Sequence, residues 1–504
     1  MTLVPDTDKD VSVRLLVGME IHVELACRSK MFTSAPNVAH HEFEDAAPNS
    51  LCNPLVVGMP GTLPVVNKQA VEMSMLVGMA LGCEIASYTK WDRKSYYYPD
   101  LPKNYQISQY DQPICGPGQL EIFVGPEQTA KTVRIRRAHL EEDAGKLLHE
   151  APGGGKIDYS IVDLNRAGTP LLEIVTEPDI TSPEEAVAFA QSLRNICRWL
   201  KVTQGIMQKG HIRFEPNINL EITYKGQVYK TPIVEIKNLN SFKAVEGSIR
   251  YEFHRQFAEW EATGTVLKPG TKSTRGWNDA TMETFLQREK EEAHDYRYFP
   301  DPDLVAVVID EDWKQRVREQ LPELPAARYG RYVEQYQLNP KEARTLVDDP
   351  ELALLFEKLI AEGIEPRRAA AIMLNNLARI ANARDVAIHE LAIHPAQVYA
   401  IEAMARANKI SSNAADQLYK LCSDDGSADV ETLAQTHGLL QVSDDASLEA
   451  WIDQAIEANP KSVEAIKAGK EAAVGALVGA VMKLSKGKAN PKLVGDRIKA
   501  KLMS

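Results

Sequence analysis

The sequence is poor in cysteine, has no apolar run long enough to cross a bilayer and carries no excess of positive charge. Each shortage excludes something. The six cysteines of the 504-residue chain (Cys27, Cys52, Cys83, Cys115, Cys197, Cys422) are scattered, with no Cys-x-x-Cys pair among them. Neither a disulfide framework nor a structural zinc site is supported, and a reducing cytoplasmic setting with buried free thiols is expected. Residues 1–10 are polar and acidic, without the apolar centre of a secretion signal. The absence of a long apolar run argues against a membrane span. Net charge is -12, so any contact with nucleic acid must come from a local basic patch. No repeat of fixed period is present. A phosphate-binding loop is also missing: Gly153-Gly154-Gly155-Lys156 is followed by Ile157, and reads better as a hairpin connection.

What is there belongs to a folded α+β protein of several domains. Hydrophobic residues make up 44% of the chain and charged ones 25%, an ordinary globular balance. Up to about residue 310 the chain is strand-rich and punctuated by Gly and Pro. Strands are expected over 120–124, 132–138, 212–221 and 233–237, and helices over 68–81 and 248–260. Another helix begins at Ser182-Pro183-Glu184-Glu185, where Ser182 can cap and Glu185 can complete a capping box. After Pro322, alanine, leucine and charged residues recur at helical spacing. Helices are expected over 328–336, 350–362, 367–383, 395–407, 414–422, 448–458 and 462–484. The expected domains are a strand-rich unit (1–310), a helical domain (311–390) and a helical tail (391–504).

The stretch Val17-Gly18-Met19-Glu20-Ile21-His22-Val23-Glu24-Leu25 alternates with period two. Met19, Ile21, Val23 and Leu25 share one face of a strand; Glu20, His22 and Glu24 share the other. Read alone, this is an edge strand with a solvated polar face. Three further segments repeat the theme: His139-Leu140-Glu141-Glu142-Asp143, the alternating Arg213, Glu215, Asn217, Asn219 and Glu221, and the pair Glu235 and Lys237. Strands of one sheet with carboxylates on a common face would form an acidic concavity suited to Mg2+, which keeps waters for phosphate oxygens. Arg213, Lys237, Arg93 and Lys94 would then neutralise a transferring phosphoryl group. The competing reading makes each segment a solvated strand face.

Two other stretches carry a choice. Asp163-Leu164-Asn165-Arg166 reads as an Asx-type turn. Asp295-Tyr296-Arg297-Tyr298-Phe299-Pro300 is either a nucleotide-stacking surface or a packed corner. At the end of the chain, Lys483, Lys486, Lys488, Lys492, Arg497, Lys499 and Lys501 face only Asp496. Such clustering suits phosphate-backbone contact, and equally a solvated helix face.

In order along the chain stand Val17–Leu25, Asp92-Arg93-Lys94-Ser95-Tyr96, Tyr105-Gln106-Ile107-Ser108-Gln109, His139-Leu140-Glu141-Glu142-Asp143-Ala144-Gly145-Lys146 and Asp163-Leu164-Asn165-Arg166. Glu235-Ile236-Lys237-Asn238-Leu239-Asn240-Ser241-Phe242, Asp295–Pro300 and Lys488-Ala489-Asn490-Pro491 follow. With these motifs the chain resembles, over nearly its whole length, the B-subunit family of bacterial aspartyl/glutamyl-tRNA(Asn/Gln) amidotransferases.

The resemblance implies a catalytic cradle similar to the fold of glutamine synthetase, then a helical domain and a YqeY-like tail that binds tRNA. It implies a ligase activity that uses ATP and Mg2+. The enzyme would phosphorylate the side-chain carboxylate of Glu-tRNA(Gln) or Asp-tRNA(Asn). Ammonia, channelled from the amidase of the complex (its A subunit), would then displace the phosphate, with a small C subunit completing a heterotrimer. By motif match, Glu20, His22, Glu142 and Glu235 would hold the metal. Lys94, Tyr96, Lys103 and Glu142 would line the ammonia route, which makes Glu142 and Lys94 catalytic candidates beside Arg213 and Lys237. Lys483, Lys486, Lys488, Lys492 and Lys499 would meet tRNA. Glu215 stands where many members have aspartate, which leaves its part in metal binding open. No nucleotide fingerprint marks an ATP pocket. The alternative is a tRNA-binding scaffold whose cradle is only structural.

Overall fold

The computed structural model describes residues 11–503 apart from 126–127, 152, 290–295, 442–444, 468–469 and 486. Lys486, Asp295 and the acidic first ten residues therefore lie outside the described residues. The chain divides into two units, one ending at Pro325 and one beginning at Ala326.

In the first unit nine described strands build one sheet. They are β1 (Val11–Glu24), β2 (Gly118–Val124), β3 (Thr129–Glu142), β4 (Pro170–Thr176), β5 (Ile212–Tyr224), β6 (Gln227–Lys230), β7 (Val234–Lys237), β8 (Ser273–Asn278) and β9 (Glu283–Glu289). The order is β9-β8-β7-β5-β1-β4-β3-β2, with β6 beside β5. Neighbours run antiparallel except β7 and β8. β1 is thus central, hydrogen-bonded on both sides, and not the edge strand that its alternation alone suggests.

Register then decides everything about the two faces, because a strand turns successive side chains to opposite sides. Phe214, Ile21, Ile174 and Ala138 stand opposite one another across four strands, and all four are buried. Helices α1 (Lys68–Ala80), α2 (Pro183–Trp199) and α3 (Phe242–Thr263) pack against β3, β2 and β5 and close this apolar layer. Each helix starts where the sequence offers a cap: Asn67, Ser182 and Ser241 accept from the amides of Ala70, Glu185 and Ala244. The cap at Ser241 starts α3 six residues earlier than periodicity predicts. Only the serine half of the expected box at Ser182 forms. The Glu185 carboxylate turns instead to the Thr181 amide, at 2.7 Å, and to Lys131.

Smaller elements surround the other face. Phe299–Pro300, Asp92–Ser95 and Tyr105–Ser108 form a three-stranded sheet. Lys146–Glu150 pairs with Lys156–Asp163 as the hairpin expected from the Gly-rich connection.

The second unit is helical, as its sequence pattern requires. A core from Tyr332 to Ala434 gathers Phe356, Leu359, Val398, Ile401, Leu418 and Tyr419. A further core joins residues from Leu448 to Ile498. The domain boundary expected at 390 therefore falls inside a continuous core, because the helices Pro395–Arg406 and Ser412–Asp424 pack against Pro350–Ala361 and its neighbours. Glu402 is buried there and accepts both Arg368 Nε and Nη2 at 2.8 Å and Tyr419 Oη at 2.6 Å. The single helix expected over 462–484 is two, Pro460–Lys467 and Val474–Leu484. Gly469 lies between them in the sequence, and glycine is the poorest helix former after proline. No described helix is long and apolar enough to cross a membrane.

Candidate active site

The polar face of the sheet carries the candidate site. One residue row along from the buried apolar row, Arg213, His22, Glu173 and His139 stand opposite one another on β5, β1, β4 and β3. Glu20 pairs across to Glu215, and Asn217 pairs across to Glu235. The result is a patch of carboxylates with imidazoles among them, built by strand register alone.

Distances show how tightly it is drawn. His22 Nε2 lies 3.6 Å from Glu173 and 4.0 Å from Glu20, and His22 Nδ1 lies 3.8 Å from Glu215. His139 Nε2 lies 3.5 Å from Glu173 and 3.9 Å from Glu141. Lys237 Nζ bridges Glu215 at 2.6 Å and Glu235 at 3.5 Å, and Thr274 Oγ1 donates to Glu235 at 2.9 Å. Arg213 is braced between Asp143, at 2.8 Å, and Glu24, at 3.5 Å.

Burial and crowding set the protonation states. Burial, with Glu173 adding to it, pushes the Glu20 carboxyl up to about 7. Burial opposes charge on His22, but Glu215 and Glu173 outweigh it and hold the imidazole up to about 9. His139 goes the other way, down to about 4, because burial wins. Glu173, between the two imidazoles, stays ionised despite burial: His139 and His22 hold it well below the ordinary carboxylate range. Burial pushes Glu24 up to about 8 against the pull of Arg213. Asp143 is held at about 2 by Arg166 and Arg213 against burial.

These donors fit a hard divalent cation. Within the patch three triads have ligand atoms mutually within 4.8 Å: Glu20–His22–Glu173, Glu20–Glu215–Glu235 and His139–Glu141–Glu173. The Nδ1 atoms of His22 and His139 are buried without a hydrogen-bond partner. Oxygen-rich sets with one imidazole suit Mg2+ or Mn2+ better than softer metals. A cation would also relieve the repulsion that raises Glu20.

Of the four residues expected as ligands, three converge and one does not. Glu20, His22 and Glu235 lie in the patch. Glu142 points to the opposite side of β3 from His139 and Glu141, because it is one residue out of phase. Its carboxylate instead meets Lys103 Nζ and the Ile107 amide, the latter at 3.0 Å. Lys103 and Glu142, expected on one route, are thus direct partners.

Lys94, Tyr96 and Lys237 line a cavity of about 1030 Å³, together with Tyr98, Tyr296 and Arg297. Lys94 Nζ stands 5.1 Å over the Tyr296 ring, and Glu141 and other nearby acids hold it charged in spite of burial. Arg93 does not face this space; it is tied to Asp301 at 2.8 Å and Asp303 at 2.9 Å. The Asx turn expected at Asp163 forms, its Oδ1 accepting the Asn165 amide at 3.0 Å.

One member escaped the sequence reading, and two were named without their role. Glu173 is a single acid inside the apolar run Pro170-Leu171-Leu172-Glu173-Ile174-Val175, and a charge in a central strand needs a partner. That was the available signal. Glu24 reads as solvated but is buried against Arg213. Glu215, left open, is fully part of the patch. In the tail, Lys483, Lys488, Lys492 and Lys499 are exposed. Arg497 and Lys501 are not unopposed, since both reach Glu449 and Lys501 also reaches Asp453.

Sequence comparison places this architecture in a class. Residues 15–315 match the GatB/GatE catalytic domain, and residues 354–502 match the GatB domain named for YqeY. The B subunit of the aspartyl/glutamyl-tRNA(Asn/Gln) amidotransferase of Geobacillus thermodenitrificans is 44% identical over 479 residues, covering 95% of this chain and 97% of that one. The corresponding B subunits of Caldanaerobacter subterraneus and Rhodopirellula baltica are each 41% identical, covering 97% and 94% of this chain and 98% and 93% of theirs. The chain belongs to the family of B subunits of the tRNA-dependent amidotransferases.

Proposed function

We propose that the chain activates the side-chain carboxylate of a misacylated tRNA within an amidotransferase complex. The observation that carries this is the patch around His22 and Glu173, with two half-buried lysines, Lys94 and Lys237, at the adjoining cavity. A structural sheet face has no reason to bury so many charges, since burying a charge is costly unless it is paired. In this reading a carboxylate oxygen of Glu-tRNA(Gln) or Asp-tRNA(Asn) attacks the γ-phosphorus of ATP, giving an acyl phosphate and ADP. Ammonia then attacks the acyl carbon, and inorganic phosphate leaves as the amide forms. A free carboxylate is a poor acyl donor; phosphorylation supplies the leaving group.

Glu20, His22, Glu173, Glu215 and Glu235 would hold Mg2+, whose chemistry is to disperse charge on the phosphoryl oxygens. Lys94 and Lys237 add fixed positive charge at the cavity wall, and Arg213 is oriented by Glu24 and Asp143. Lys103 and Glu142 would lie on the path of ammonia supplied by the glutaminase of the complex, its A subunit, with a small C subunit completing the assembly. The exposed tail lysines would meet the tRNA backbone. A cradle like that of glutamine synthetase belongs to this reading, because the chemistry is the same.

The test is Mg2+- and ATP-dependent conversion of Glu-tRNA to Gln-tRNA by the assembled complex, with glutamine as donor. His22→Gln and Lys94→Met are expected to abolish it while the complex still binds tRNA. Normal amide formation by either variant would make the cradle a scaffold. The purified chain alone should show no glutaminase activity.

A further inference from the structure

Lys30 is completely buried, an unusual place for a lysine, and nothing in the chemistry above uses it. Its Nζ donates to the carbonyls of Asn165 and Ala167, each at 2.5 Å. These two carbonyls flank Arg166. The turn they belong to is held from the other side as well: the Asn165 side chain donates to the Ala47 carbonyl at 2.7 Å and accepts from the Leu51 amide at 2.9 Å. Gly168 follows with φ +80, and a Cβ there would stand 3.4 Å from Lys30 Cδ. The lysine stem thus fills the space beneath a left-handed turn that only glycine readily adopts.

Arg166 is delivered by that turn to the site. Its Nε and Nη2 donate to the carbonyls of Ala144 and Gly145, at 3.1 and 2.7 Å, and its Nε lies 3.6 Å from Asp143 Oδ2. Ala144 is part of the cavity wall, and the same Asp143 oxygen takes Arg213 Nη2 at 2.8 Å. A continuous chain of contacts therefore runs from Lys30, through two carbonyls, to Arg166, and from there to the cavity wall and to Arg213.

We infer that Lys30 is a positioning residue, acting through Arg166 to fix the Asp143–Gly145 segment and the Arg213 guanidinium at the active site. The inference rests on the functional reading above. An ammonium suits this role because its donors can satisfy two carbonyls of one turn at once, which no apolar side chain of the same length can do.

The experiment uses the assembled complex, measuring kcat and KM for Glu-tRNA at saturating ATP and glutamine. Arg166→Ala is expected to lower kcat by about ten- to a hundred-fold, the usual size for a residue supporting the primary groups, with KM changed less than about threefold. Lys30→Met is expected to give a loss of the same size. The decisive reading is the double variant. If Lys30 works through Arg166, it loses no more than Arg166→Ala alone; independent, purely structural damage multiplies the two losses. Full kcat in Arg166→Ala, or multiplied losses in the double variant, overturns the inference. If Lys30→Met does not fold, Lys30→Arg, which keeps the donors, replaces it and is expected to retain at least about a third of kcat. A folded Lys30→Arg complex as slow as Arg166→Ala also overturns it. A wild-type complex that makes no amide overturns the functional reading instead.

Discussion

Glu173 stands between two imidazoles that titrate in opposite directions, and replacing it by glutamine tests the electrostatics of the whole patch. In the wild type, burial works against charge on His22, while Glu215 and Glu173 together hold it up to about 9. Glutamine at 173 keeps the shape and removes one of the two carboxylates. Burial and Arg213 are then opposed by Glu215 with only Glu20 beside it. The His22 imidazole should fall from about 9 to its ordinary 6.5 or below. At about 1.4 kcal/mol per pH unit this is about 3.5 kcal/mol, or roughly a 300-fold change in proton affinity. The sign for stability follows. A raised imidazole stabilises the fold fully below pH 6.5, and that contribution is lost as pH rises through about 9. The variant should lack this alkaline decline. The assay is two-bond nitrogen–proton NMR of histidine-labelled protein without divalent cations, with His22→Gln identifying the resonance. His139, held neutral by burial with a pKa of about 4, should stay neutral at pH 7 in both proteins. A His22 resonance that still titrates near 9 in Glu173→Gln would refute this account. A corollary is that Mg2+ added to the wild type at neutral pH should release protons from both His22 and the half-protonated Glu20, and the variant should release about one proton fewer.

Lys237→Met should cut kcat at least about a hundred-fold, as loss of a preorganised charge does, without weakening Mg2+ binding, because Glu215 and Glu235 lose a competing cation. Weaker Mg2+ binding by calorimetry would show that the lysine supports the metal site. Asp143 is held at about 2 against an ordinary 3.8, so its contribution is complete above pH 3.8 and is lost as pH falls through 2. It is worth about 2 kcal/mol, and Asp143→Asn should unfold with a shallower acid dependence in urea titrations. An unchanged slope would count against the Arg166–Asp143–Arg213 cluster. Glu402→Gln should destabilise the helical unit by about 2 kcal/mol, discounted for the partly exposed Arg368, and lower its melting temperature by about 4–8 °C in calorimetry.

Much of this was readable from the chain, and most of the failures concern which elements pack together. Period-two alternation located β1 and β5 and assigned Glu20, His22 and Glu215 to a polar face. It could not say which strands were neighbours, so β1 read as an edge and Glu24 as solvated. Glu142 failed for a related reason. In His139-Leu140-Glu141-Glu142-Asp143, adjacent acids point to opposite faces, and only the pairing of β3 with β4 shows that the face of His139 and Glu141 is the one that meets Glu173. Glu173 was missed because an apolar run with one acid shows no alternation to read. In the helical half, apolar spacing located individual helices well. It gave no hint that the helices on either side of residue 390 share one core, because packing between helices is a property of surfaces and not of period.

The row Arg213–His22–Glu173–His139 has a consequence for how the protein comes into being. Its members are drawn from four strands widely separated along the chain, and β3, β4 and finally β5, which completes it with Arg213, are made long after β1. A ribosome-bound chain that ends before β5 can hold at most part of the row. Local elements such as α1 can form early, but long-range strand pairing is slow. Cation binding and chemical competence should therefore arrive together, at the moment the central strands lock. A single-residue deletion in β1 before Glu20 would do more than weaken the sheet, for it would put Glu20, His22 and Glu24 out of phase with Leu15 and Val17, sending the β1 share of the reactive row to the apolar side and Ile21 and Val23 to the polar one.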